Sequence, residues 1–326
     1  MAHELAETNG RTAMMFYGEM PWHKLGTKLE RPATASEAIT AAGLDYRVGL
    51  KALSTNDGSP VPQRKAVVRS DTEEVLGVVG NSYVPIQNTE CFSFLDAVVI
   101  EGRVEYHTAG ALGKGERIWL LAKLPGNIRV KGSDDITEKF LLLSNSHNGT
   151  SALRVYITPI RVVCSNTLAM AERKSRGEGV SILHKGDLGA KVREAQTVLE
   201  LAAGFYNDVQ VKADLLASYY PTRTQLERYF ESLYPDPTDG NKTRASNVRS
   251  ELFRLFEEGK GQDIPTIRHT AWAAFNAVTE YVDHHRPTRA RNESDRASRR
   301  LTSAWFGGGA QLKARAWDLA LDLIAV

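Results

Sequence analysis

The sequence predicts an α+β fold: a β-rich antiparallel N-terminal half with inserted helices, then a nearly all-helical C-terminal half. Three observations predict it. Between Tyr46 and Leu168, short β-branched runs alternate with turns bearing Gly, Asn and Pro, at hairpin spacing. From Lys185 onward the apolar residues recur at helical spacing instead, as in Val192, Ala195, Val198, Leu199 and Ala202. Two short helical patterns, after Thr34 and after Asn88, interrupt the β-rich half.

In order, residues 1–32 form an irregular lead-in, dense in aromatics and turn formers from Phe16 to Gly26, that is expected to dock on the body. Thr34 or Ser36 caps a first helix with Ala38, Ile39, Ala42 and Leu44 on its apolar stripe, and Gly43 ends it. Residues 46–53, 65–69 and 75–80 read as a meander of three strands, with Asn56-Asp57-Gly58-Ser59-Pro60 as the first turn. Asn88 or Thr89 caps a second helix through Val99. Strands follow at 104–111, 117–124, 128–131 and 140–143. A polar turn, Asn145 to Ser151, leads to the β-branched run from Leu153 to Val163, which Pro159 interrupts. Helices are expected near 185–209, 212–219, 222–233, 241–258, 268–285 and 310–324. A charged, Gly-bearing stretch, Lys174 to Gly179, places the domain boundary near 175–190, which gives a 1–180 β-rich domain and a 181–326 helical domain.

Bulk composition narrows the function classes. The chain has 326 residues, 42% hydrophobic, enough for one large domain or two modest ones. Its net charge is only +2, so a nucleic-acid surface has to come from local clustering. The two cysteines, Cys91 and Cys164, form neither a disulfide framework nor a zinc knuckle. The N-terminus is polar, and no stretch approaches the roughly 20 apolar residues of a membrane span. A soluble cytoplasmic protein is expected. No phosphate-binding P-loop, H-E-x-x-H, C-x-x-C or G-x-S-x-G motif is present.

Three clusters carry candidate chemistry. The first is Ser144 to Ser151 with Arg154 and Arg161, where hydroxyls, backbone amides and guanidinium groups suit a phosphate and His147 suits a general base. The alternative is that the arginines snorkel or pair with core carboxylates and that His147 is an ordinary turn residue. The second is the helix around Asn276, Glu280 and His284, with Thr279 and Asp283 beside them. Glu280, Asp283 and His284 are candidate ligands for Mg²⁺ or Mn²⁺, set against plain structural hydrogen bonding. The third is the run Arg286, Arg289, Arg291, Arg296, Arg299 and Arg300, opposed only by Glu293 and Asp295 and followed by Trp305-Phe306. Arginines beside aromatics suit a single strand, though a solvated helix face with the aromatics in the core fits equally. Arg173, Lys174 and Arg176 add charge before the boundary.

Several marks are family-like: Pro21-Trp22-His23, Gly80-Asn81-Ser82-Tyr83, Ser144 to Ser151 with Arg154 and Arg161-Val162-Val163-Cys164, Asn276 to His284, and Trp305-Phe306-Gly307. With these the chain resembles the phage/plasmid-like protein family catalogued as domain of unknown function 932, over nearly its whole length. The resemblance implies a home on phages, prophages and plasmids. In layout the β-rich half is also similar to phage single-strand annealing proteins, which hold DNA in a basic groove as rings or filaments and use no catalytic residue or cofactor.

The expectation is therefore a non-catalytic protein that binds and anneals single-stranded DNA in recombination, as a homo-oligomer. The expected contacts are Asn145, His147, Arg154, Arg161, Arg173, Lys174, Arg176, Arg289, Arg291, Arg299 and Arg300. Two alternatives stand beside it: a metal-dependent nuclease or phosphoryl-transfer enzyme, and an anti-defence protein that binds a host factor.

Overall fold

The computed structural model describes residues 5–8, 11–18, 26–102, 105–161, 166–167, 180–181, 188–238, 242–289, 296, 299–300, 303–304 and 307–325. The fold is α+β, as the turn spacing and helical stripes predict.

The β-rich half contains β1 (Glu7–Thr8), β2 (Arg11–Thr12), β3 (Met14–Tyr17), β4 (Thr27–Leu29), α1 (Ala35–Ala41), β5 (Val48–Ser54), β6 (Pro60–Arg69), β7 (Val75–Gly80) and α2 (Asn88–Gly102). It continues with β8 (Glu105–Leu112), β9 (Arg117–Arg129), a 3₁₀ turn (Val130–Gly132), β10 (Ile136–Ser146), β11 (Arg154–Arg161), β12 (Asn166–Thr167) and β13 (Val180–Ser181). The helical half contains α3 (Leu188–Leu216), α4 (Arg223–Leu233), α5 (Thr243–Glu258), α6 (Ala271–Glu280) with a π-helical turn (Tyr281–His285), and α7 (Gly308–Ile324).

The main sheet runs β12-β11-β10-β9-β8-β3-β4, antiparallel except for β3 with β4. The short strands β12 and β13 share the outer edge of β11. Pro159 does not break β11: it sits in register opposite Lys139, where β10 is irregular against β9. Period-2 alternation sorts the side chains. Ala109, Ala111, Ile118, Leu120, Ala122, Leu141, Leu143 and Val155 belong to one apolar core, which α1, α2 and α3 join. That core continues without a break into α4 to α7.

The opposite face has its own cluster of Leu5, Met14, Leu112, Trp119, Leu121, Phe140 and Leu142. Full burial of a Phe or Leu there is worth about 1.5–3 kcal/mol. Gly110 is required on this face, because a Cβ there would lie 2.9 Å from the Trp119 ring and 2.8 Å from the Ala13 carbonyl oxygen.

A second sheet, β5-β6-β7, is the expected meander. Thr34 caps α1 in a reciprocal capping box with Glu37. The Thr34 backbone N–H, followed by Arg31, holds the Glu37 carboxyl down to about 2. At the second helix the expected cap differs. Asn88 lies inside α2, and its side chain donates to Leu44 O at 3.0 Å instead of closing the helix end. The two helices expected at 185–209 and 212–219 are one, since Val209, Ala213 and Leu216 keep the same buried stripe across the join.

Candidate nucleic-acid interface

The Ser144 to Ser151 turn is built into the protein. Seen from the sheet, it ends β10 and leads to β11; seen from the small sheet, it is the surface on which β7 lies. The fit depends on glycine: a Cβ on Gly77 would stand 2.6 Å from Asn148 Cα, and one on Gly149 would stand 2.9 Å from Val79 Cγ1. Tyr83 Oη donates to Ser146 O at 3.3 Å, and Asn145 Nδ2 donates to Ile86 O at 3.4 Å. Asn148 Oδ1 accepts from the Thr150 backbone N–H, which closes the turn on itself.

His147 lies at the bottom of this seam, with no exposed surface. Its backbone N–H donates to Glu116 O at 2.7 Å, and its Nε2 is 2.8 Å from Asn88 Oδ1. Because Asn88 Nδ2 donates to Leu44 O, Asn88 Oδ1 is the acceptor and the His147 proton resides on Nε2. The bare Nδ1 is buried without a hydrogen-bond partner among the described residues. Burial, and after it the Arg69 charge, push the ring down to about 4, so it is neutral at pH 7. Beside it, Arg69 stacks on the Tyr46 ring at 3.9 Å, forks onto Asp71 at 2.7 and 2.9 Å, and donates to Lys114 O. Tyr46 Oη donates to Gly115 O at 2.7 Å, and burial pushes this phenol up to about 12.

The placement corrects the surface role expected of Asn145 and His147: both side chains are interior, with polar partners supplied by the fold. A general base needs access to a substrate proton, and His147 has no exposed surface. Arg154 is half-buried in β11, in register with Ser144 of β10 and Ser181 of β13. Arg161 pairs in register with Thr137 and Asn166, and its side chain lies outside the described residues. Arg173, Lys174, Arg176 and Arg291, like Trp305 and Phe306, also lie outside them.

The metal candidates separate in a similar way. Asp283 accepts from Lys313 Nζ at 2.7 Å, inside the contact between the π-helical turn and α7. Glu280 Oε2 accepts from the Lys260 backbone N–H at 2.9 Å. His284 is half-buried. Among the described residues, no group of three or more His, Cys, Asp or Glu side chains is placed to hold a metal. The sequence spacing put these residues on one helix; the tertiary structure gives the two acids different partners.

The basic run fares differently. Arg289 and Arg299 are exposed and Arg300 is half-buried. Arg286 ends the π-helical turn, its backbone N–H bonded to Tyr281 O at 2.7 Å. Near it the rings of Tyr234 and Tyr281 meet edge to face at 5.8 Å. Burial raises both phenols, while Arg286 and Arg244 pull in the opposite direction, so both guanidinium groups are within electrostatic reach of both rings. The acids nearby are already engaged. Asp236 pairs with Arg249 at 2.7 Å and with Lys242 at 3.7 Å. Glu251 pairs with Arg254 at 2.6 Å. Sequence reasoning missed Arg244 and Tyr234. They lie 42 and 52 residues before Arg286 in the chain; α5, which carries Arg244, packs against the π-helical turn, and Tyr234, at the end of α4, meets its Tyr281 ring.

A family model, described as Domain of unknown function (DUF932), matches residues 75–305. The chain belongs to this family. The matched span takes in the seam turn, Asp283 and the Arg286 end of the π-helical turn, while Tyr46, Arg69 and Lys313 lie outside it. No curated protein and no solved structure matches the chain. Among the described residues, no helix is long and apolar enough to cross a membrane.

Proposed function

We propose that the chain binds single-stranded DNA and anneals complementary strands, as a non-catalytic recombination protein of a phage or plasmid. The observation that supports this most is the pair Arg244 and Arg286. Both stand beside Tyr234 and Tyr281, and the neighbouring carboxylates of Asp236 and Glu251 are occupied by other cations. Among the described residues neither Arg244 nor Arg286 has an ion-pair partner, and such guanidinium groups bind phosphate by releasing counterions. Exposed Arg289 extends the charge along the same arginine-rich segment. Of the contacts expected from the sequence this reading keeps those of the helical half and adds Arg244 and Arg286.

The nuclease reading draws less support, because Asp283 already neutralises Lys313 and Glu280 accepts from the backbone. Fluorescence anisotropy with a labelled single strand and its duplex, across a salt series, tests the proposal. Binding to the single strand should weaken steeply with salt. The Arg244→Ala/Arg286→Ala variant should lower the slope of log K against log salt by about 1.4, since each lost phosphate contact removes about 0.7. Salt-independent binding, no binding at low salt, or an unchanged slope in the variant overturns it. Pairing of two labelled complementary strands then separates annealing from binding alone.

A further inference from the structure

We infer that α3 is a two-fold dimerisation helix, whose occupant is α3 of a second copy of this chain, laid antiparallel. The inference does not depend on the DNA reading.

The helix has two apolar stripes and the fold uses one. Val198, Ala202, Phe205, Tyr206, Val209, Ala213 and Leu216 are buried in the core. On the flank, the Gln210 side chain exchanges hydrogen bonds with the Arg129 backbone, and Asp214 accepts from the Lys131 N–H at 2.6 Å, which fixes the rotation of α3 on the body. The outward side then shows Leu201, Gly204, Asp208, Val211 and Leu215, alternating steps of three and four residues. That is the spacing of a coiled-coil seam. Leu201, Val211 and Leu215 are 48%, 59% and 52% exposed, which ordinary surface positions do not require of three aliphatics on one line.

The stripe is complementary to itself when reversed. Around a two-fold axis between Asp208 and Val211, Leu215 of one copy meets Gly204 of the other, Val211 meets Asp208, and Leu201 meets Ser218. Each layer sets one aliphatic against one smaller residue. Gly204 has open space where a Cβ would stand, so it can receive the opposing leucine. Charge agrees with this register. Asp208 and Lys212 pair at 2.6 Å within one helix, and the axis brings the two pairs together, so each Asp208 also approaches the Lys212 of the other copy. A parallel arrangement would instead stack Leu on Leu and leave Gly204 opposite Gly204. The seam from 201 to 215 is about 21 Å long at 1.5 Å per residue, a short contact that gives a concentration-dependent dimer. Such a contact is isologous and closes at two copies.

Sedimentation of the full chain without DNA tests this. The mass should rise from monomer to dimer with concentration, and Leu201→Glu/Leu215→Glu should remain monomeric and melt like the wild-type monomer at low concentration, since both positions face solvent. A monomer at every concentration, or a dimer that survives the glutamates, overturns the proposal. Oxidation of Gly204→Cys/Leu215→Cys reports the register. The two sites are about 16 Å apart within one helix, beyond disulfide reach. A cross-linked dimer from the double variant, but from neither single variant, is expected. Equal cross-linking of the Gly204→Cys single variant means a parallel contact and overturns the antiparallel pairing.

Discussion

Trp272 donates its indole N–H to Asp135 Oδ2 at 2.6 Å, across 137 residues of chain, with neither side chain exposed. Asp135 lies between the 3₁₀ turn and β10; Trp272 lies in the first turn of α6. The bond ties the sheet to the helical half inside one continuous core. A charge-assisted hydrogen bond in such a place costs about 2–3 kcal/mol to lose, because the carboxylate stays buried with one donor fewer. Trp272→Phe keeps most of the packing and removes the donor. Urea unfolding should show a loss of that size, in a single transition; a change within about 0.5 kcal/mol would sink the assignment.

Two neutral histidines, His147 in the seam and half-buried His107 in β8, predict acid sensitivity. Burial holds His147 and His107 each at about 4, against an ordinary value of 6.5. Between these values the unfolded chain binds more protons than the folded one, so stability rises with pH across the window. The contribution is complete above 6.5 and is lost as pH falls toward 4. At pH 5 the loss is about 2 kcal/mol per histidine. His147→Gln should therefore flatten stability against pH between 5 and 6.5. A His147 ring that titrates near 6.5 by NMR contradicts the buried, Nε2-protonated state.

The Lys313–Asp283 pair predicts a non-additive double mutant. Burial lowers the Lys313 ammonium, and the Asp283 carboxylate opposes that shift. Removing one partner strands a buried charge, at about 3–5 kcal/mol for Lys313→Met. Lys313→Met/Asp283→Leu should recover much of that loss. Denaturation of the two single variants and the double variant closes the cycle; additive losses would mean that the two groups do not depend on each other.

Gly77 should tolerate no side chain. Its Cβ would meet the Asn148 backbone, which cannot swing aside as a flexible side chain can. Gly77→Ala should cost about 1–3 kcal/mol by overpacking and speed hydrogen exchange in β7. Gly49→Ala, where nothing lies within 4 Å of the added carbon, is the control. Equal effects of the two would show that the seam is loose.

Local features were legible in the sequence to different depths. The Asn56 to Pro60 turn, the Thr34–Glu37 cap and the stripe of α3 depend on residues a few positions apart, and a linear pattern records such relations. Pro159 and Asn88 misled because their usual local roles, strand breaker and helix cap, were overridden by β10 and by the Leu44 carbonyl. The candidate site was less legible still. Polarity marked the Ser144 to Ser151 turn for the surface, yet polar side chains enter an interior when the fold supplies their hydrogen bonds, as Asn88, Ile86 and Tyr83 do here.

Although strands β1 to β4 in the lead-in, read as irregular, were not foreseen, the sequence by itself determined the α+β class, the succession of a strand-rich and a helical half, and the arginine-rich segment that begins at Arg286. Those follow from period, turn chemistry and local charge. Only the tertiary structure decided which charges are compensated and which act together: Asp283 goes to Lys313, Asp236 to Arg249, and Arg244 and Arg286 both act on Tyr234. The physical reason is that ion pairing and desolvation depend on distance through space, and these partners meet only when helices separated along the chain pack together.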